Sequence, residues 1–211
     1  MSRLLKVFHE DISQIKDEKI KDVVIGVIKD APDYLAEIPS SSTGKYHPGD
    51  EICSEGMIIH VKRCVIAAKE IARMRKHSDE DLDILIAGCL LHDLYKNGKT
   101  KGKYTVKDHE FLAYNAIKEK YLNTVGYGDQ KKIWKVAFAV LLHSGQWTPS
   151  DALAEWQQMK PETSSNLSKL LESMHIIDFI VSRRTFYDMF QLPWVKKIKD
   201  VTKERLGNGS V

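Results

Sequence analysis

From Ile84 to Leu91 the chain runs eight apolar or small residues, then sets His92 and Asp93 side by side. The stretch lies in "SDEDLDILIAGCLLHDLYK", which reads as a helix with Ser78 or Asp79 as N-cap and acidic residues in its first turn. An Asp on a buried face is expensive unless something compensates its charge. Either the helix ends there, or the pair holds something.

The same helical periodicity recurs along the chain, and strand alternation is scarce. "DEKIKDVVIGVIKDAP" reads as a helix closed by Pro32. The longest loop, "EIPSSSTGKYHPGDEICSEG", follows, and loops of this length inside compact domains are often functional. Ser54 or Glu55 then starts a long helix through "MIIHVKRCVIAAKEIARMRK". Beyond the Ile84 segment come a lysine-rich connection, the helix "VKDHEFLAYNAIKEKYLN", the turn "VGYGD" and the helix "QKKIWKVAFAVLLH". A loop and a short helical segment ending before Pro161 lead to the last strong helix, "SSNLSKLLESMHIIDFIVSRR", and an amphipathic, then Gly-rich tail. The expected class is all-α, one domain, without repeats.

Composition narrows the class further. With 211 residues, the chain can build one complete core. Its net charge of +3, with Lys and Arg dispersed, gives no nucleic-acid footprint, although small phosphorylated substrates stay compatible. Three cysteines, Cys53, Cys64 and Cys89, form no CxxC pair, which argues for a reducing compartment and against a thiolate zinc site. The first twenty residues turn charged too soon for a signal peptide, and no apolar run approaches the roughly 20 residues of a spanning helix. The expectation is a cytoplasmic protein.

The decisive feature is where polar residues fall on these helices. His60 sits on the stripe of Met57, Val61, Cys64, Ala68 and Ile71. Leu82, Leu85, Ile86, Cys89 and Leu90 lead to His92 and Asp93, while His109 shares a face with Leu112, Ala113, Ala116 and Ile117. Val136 and Val140 lead to His143; Leu167, Leu171, Met174 and Val181 surround Asp178. One buried histidine is usually just hydrogen-bonded. Six such residues on five core faces need mutual partners or a metal. Four imidazoles and two carboxylates make a ligand set for one or two divalent ions preferring nitrogen and oxygen donors, such as Fe, Mn, Zn or Ni, with oxygen-seeking Mg also among the candidate ions.

His60, the His92-Asp93 doublet and a late Asp178 resemble the HD-domain metal phosphohydrolase superfamily, defined by H…HD…D. His109 and His143 match the extra ligands of its two-metal branch, and Lys96 in "HDLYK" resembles that branch's HDxxK. Tyr95 departs from the small residue many members carry before the lysine. Ser144, following His143, removes the twin histidines of HD-GYP cyclic-di-GMP phosphodiesterases. The resemblance covers about residues 55–185 and implies an HD-type helical bundle. It makes residues 1–54 N-terminal helices with a substrate-proximal loop, and 186–211 a C-terminal helical tail.

The resemblance further implies that Asp93 bridges two ions, with His60, His92 and Asp178 completing one, and His109 and His143 the other. Asp93 and Lys96 would be catalytic, the lysine meeting substrate oxygens. The expected activity is hydrolysis of a nucleotide or other small phosphate ester by a metal-activated water. The superfamily's di-iron oxygenases use the same ligands and stand as the alternative, with a small polar substrate. Neither membrane nor nucleic acid is an expected partner, and homo-oligomerisation stays open. His47 either reaches the site to contact substrate or packs as a turn residue against Tyr46 and Pro48. Arg183 is a weaker phosphate-contact candidate, an exposed helix-end cation beside Arg184 being the favoured reading. His175 is either a partner of Asp178 or plainly hydrogen-bonded, and His9 and His77 are expected on the solvated surface.

Overall fold

A computed structural model describes residues 2–122, 130–159 and 165–184. The "VGYGD" turn, Pro161 and the tail 186–211 lie outside the described residues. Among the described residues there are nine α-helices and no strand: α1 Arg3–Val7, α2 His9–Ser13, α3 Glu18–Asp30, α4 Gly56–Arg75, α5 Asp79–Leu91, α6 His109–Ile117, α7 Lys131–Leu141, α8 Ser150–Met159 and α9 Ser165–Val181. No helix is long and apolar enough to cross a membrane.

The apolar run of α5 makes it the central element. Ile84 to Leu91 are all buried, and α5 packs against α3, α4, α7 and α9. A helix buried on every side has no polar face for periodicity to reveal. Its start is fixed by Ser78, whose hydroxyl accepts from Asp81 N–H at 3.1 Å while Asp81 reaches back to Ser78 N–H, a capping box. Even the buried Asp83 is used: its Oδ2 accepts from the backbone N–H groups of Lys16 and Asp17, anchoring the turn into α3. Asp17 in turn caps α3 by accepting from Lys19 and Ile20 N–H.

α4 and α5 form an antiparallel pair joined by a tight turn, with Lys76 left-handed at φ 53°. The long loop before α4 is not loose. Ser40 N–H donates to Glu51 O at 3.0 Å, Met57 N–H donates to Ile38 O at 3.0 Å, and Gly49–Glu51 form a 3₁₀ turn. A Cβ on Gly56 would stand 1.8 Å from Glu51 O, so only glycine lets this loop close onto the first turn of α4. The helix expected through residue 123 departs from α-form after Ile117 and continues as a π turn, Lys118–Leu122. Tyr121 and Lys120 there donate to the α3 carbonyls of Asp22 and Gly26.

Candidate metal centre

Five helices deliver the six ligand candidates to one place. α4 carries His60, the end of α5 His92 and Asp93, the first residue of α6 His109, the turn after α7 His143, and α9 Asp178. His60 Nε2 lies 3.3 Å from His92 Nε2 and 3.2 Å from Asp178 Oδ1. Asp93 Oδ2 joins this group, 3.4 Å from His92 Nε2 and 3.8 Å from His60 Nε2. The other oxygen, Asp93 Oδ1, faces a different pair: His109 Nε2 at 3.3 Å and His143 Nε2 at 3.9 Å.

The histidines converge through their Nε2 atoms, and in three of them Nδ1 is occupied elsewhere. His92, His109 and His143 each place Nδ1 on the carbonyl three residues earlier: Cys89 at 2.9 Å, Val106 at 2.9 Å and Val140 at 2.7 Å. Each sits where the chain enters or leaves a helix, so that carbonyl is within reach. An Nδ1–H donated this way leaves a lone pair on Nε2, the form in which imidazole binds a metal. His60 lies inside α4 and has no such carbonyl: its Nδ1 faces Glu51 Oε2 at 3.4 Å without a hydrogen bond. Glu51 is wholly buried and also receives Arg63 at 2.8 Å and His47 Nδ1 at 2.9 Å.

After Leu91 the hydrogen bonds tighten to three-residue spacing: Lys96 N–H donates to Asp93 O, and Gly98 N–H to Tyr95 O. Side chains at i and i+3 eclipse in such a turn. Lys96 Nζ therefore stands 2.5 Å from Asp93 Oδ2.

Without an ion, the charges balance only through protons. Burial alone would push His92 down, yet the charge of Asp93 and the hydrogen bond to Asp178 raise it well above the usual imidazole value. Burial likewise works against the Asp93 carboxylate, but Lys96 and His92 hold it well below the usual range. His143 behaves differently: burial and the neighbouring His92 charge push it down to about 3, keeping its Nε2 a free donor. Asp93 Oδ1 is buried with no hydrogen-bond partner, which otherwise costs about 1–3 kcal/mol. Ligand bonds near 2.1 Å at tetrahedral angles put donor atoms about 3.4 Å apart, and the spacings above bracket that figure. The donor set fits a divalent cation. Cys64 Sγ lies 3.6 Å from His60 Nε2, but burial pushes its thiol up, so it packs there as a neutral group.

His47 is buried in the same neighbourhood, its ring 5.4 Å from that of His60 and Nδ1 2.8 Å from Ser40 Oγ. His175 reaches the backbone rather than Asp178: Nδ1 lies 2.9 Å from His143 O. His9 is exposed, as expected. His77 is not: its side chain is fully covered, with Nε2 2.8 Å from Ser173 Oγ, a partner 96 residues away. Arg183 is only partly exposed, its guanidinium lying over the rings of Phe179, Tyr46 and Trp147 at 4.6, 4.9 and 5.4 Å. Tyr95 lines a cleft of about 360 Å³ between α3 and α6 that includes none of the six ligand candidates.

Sequence reasoning missed Glu51 and Glu110. Glu110 follows His109 and shares the buried face of Ala113, Tyr114 and Ile117, a pattern that could have exposed it. Its Oε2 lies 3.2 Å from His109 Nδ1, and its Oε1 accepts from Ser144 at 2.5 Å. Glu51 sits in a loop, where no periodicity marks it.

The family model of the HD domain matches residues 57–179, from the first turn of α4 to the last of α9. This chain belongs to the HD-domain family, whose members are mostly metal-dependent hydrolases. Comparison with curated proteins and with solved structures gives no match.

Proposed function

We propose that the protein is a phosphohydrolase that cleaves a nucleotide or other small phosphate ester, with Asp93 shared between two divalent ions. One observation carries the reading: the two carboxylate oxygens of Asp93 face two separate sets of Nε2 donors. His60, His92 and Asp178 would hold one ion, and His109 and His143 the other. Ions so held supply Lewis acidity toward phosphoryl oxygens and a water activated at neutral pH.

The chain's own part is placement and charge. Burial opposes the Lys96 ammonium, but the charges of Asp93 and Asp178 raise its pKa, so it stays protonated. A protonated amine beside the shared carboxylate can donate to a phosphoryl oxygen and take up charge as the ester bond breaks. His47 walls the site beside His60, held by Ser40 and Glu51.

Metal analysis of the purified full chain, followed by phosphate release from a panel of nucleotides and sugar phosphates, tests the proposal. Two ions per chain and release from at least one ester are expected. Lys96→Ala should keep both ions and lower turnover by about 10²–10³-fold, the usual effect of losing one charge-stabilising donor. Oxygen uptake without phosphate release would replace this reading with the oxygenase.

A further inference from the structure

Beside the centre, three aromatic rings surround a cation. Tyr46 adjoins His47, Phe179 adjoins Asp178, and Trp147 lies four residues beyond His143. Trp147 and Phe179 stack with planes 9° apart and centroids 5.9 Å apart. Arg183 lies against both and against Tyr46. Trp147 is 53% exposed and Tyr46 51%, with Lys45 Nζ over the Tyr46 ring at 5.1 Å as a second cation of the patch.

The patch is built, not accidental. Arg184 N–H donates to Tyr46 O at 2.6 Å, tying the long loop to the end of α9. Ser182 Oγ donates to Asp178 Oδ1 at 3.1 Å, tying that end to a ligand candidate. Gly145 has φ +57°, and a Cβ there would stand 2.4 Å from the His175 ring. Only glycine lets this loop lie on α9 and bring Trp147 to Phe179.

Among the described residues Arg183 has rings for neighbours and no carboxylate. Ring contacts satisfy none of a guanidinium's N–H donors in the way a carboxylate would, and planar guanidinium suits phosphate. Exposed rings suit a flat, weakly hydrated group, and every nucleobase has such a face. A sugar phosphate has only the anion.

We propose that Tyr46, Trp147, Phe179 and Arg183 form a nucleotide subsite, with the base on the open Trp147 and Tyr46 rings and phosphate oxygens at Arg183. This deepens the phosphohydrolase reading and rests on it for the fate of the bound ester.

Equilibrium dialysis of the full chain, with chelator present so that nothing turns over, tests it with adenosine, the four nucleoside monophosphates and ribose 5-phosphate. At least one monophosphate should bind about tenfold or more tighter than ribose 5-phosphate. Trp147→Ala should weaken that monophosphate about tenfold and leave ribose 5-phosphate unchanged. Arg183→Ala should weaken AMP but not adenosine. The half-exposed Trp147 can be removed without opening the core, and circular dichroism checks that the variant folds. Equal binding of all monophosphates and ribose 5-phosphate would overturn the subsite. So would Trp147→Ala binding like the parent. Phosphate release from the ester panel judges the hydrolase reading separately: nucleotide binding without release sinks that reading and leaves the subsite standing.

Discussion

The two oxygens of Asp93 look onto surroundings built to different standards. On the Oδ2 side stand His60, fully buried within the 20-residue α4, His92 at the end of the buried α5, and Asp178 on α9. On the Oδ1 side stand His109 at the first residue of the nine-residue α6 and His143 in the turn after α7. The first side offers two imidazoles, Asp178 and a share of Asp93; the second offers two imidazoles and a share of Asp93. Ligand charge and rigidity set metal affinity, so the proposed Oδ2-side ion should be held tighter and the Oδ1-side ion exchanged more readily.

The largest effect comes from the residue common to both sides. Asp93→Ala should take the metal content from two ions to none and abolish turnover, because it removes the shared ligand and leaves Lys96 and His92 without their counter-charge. Metal analysis beside the activity assay checks this. Retained activity with unchanged metal would break the comparison at its root.

Changing one side at a time sharpens it. His109→Ala should leave one ion per chain and cut turnover severely, while the remaining ion resists chelator as in the parent. His60→Ala should lose the ion that resists chelator in the parent. If both variants lose the same ion, the two sides are one site, and a one-metal arrangement of His60, His92, Asp93 and Asp178 becomes the better description.

The ligand candidates on either side of this contrast could be read from residues alone, while their division between two ions came only from the resemblance to the HD-domain superfamily. The helices carrying the ligand candidates were visible because apolar side chains recur at helical spacing, and a His or Asp on such a face stands out. Met57, Val61, Cys64 and Ala68 are all buried around His60, as that spacing requires. What stayed hidden depends on distant partners. His77 sits between Lys76 and Ser78 and reads as surface, yet Ser173 from α9 covers it. The π turn after Ile117 answers to carbonyls of α3, which nothing in "KEKYL" announces. Glu51 looks like one more polar loop residue, and its burial follows from the closure that Gly56 permits.

Glu51 and Glu110 give the smallest and most discriminating prediction. Both carboxylates approach the Nδ1 of a candidate ligand histidine, Glu51 that of His60 at 3.4 Å and Glu110 that of His109 at 3.2 Å. Their situations differ in one respect. His109 Nδ1 already donates to Val106 O at 2.9 Å, so its ring stays oriented without Glu110. His60 sits inside a helix and has no such carbonyl; the Glu51 carboxylate, 3.4 Å away and short of a hydrogen bond, is the group that faces its Nδ1. Glu51→Gln keeps the shape but replaces a charge-assisted contact with a neutral one, which is about half as strong. Losing an outer partner of a ligand histidine typically costs 10–100-fold in metal affinity, so the isosteric change should weaken the tighter ion by about tenfold. The weaker ion should be unaffected. Glu110→Gln should leave both affinities as they are, because the carbonyl still holds the ring. Chelator competition on the two variants measures this directly. An equal loss for both would mean that carboxylates, not helix ends, orient the second pair of histidines, and the two sides of Asp93 would then be supported in the same way.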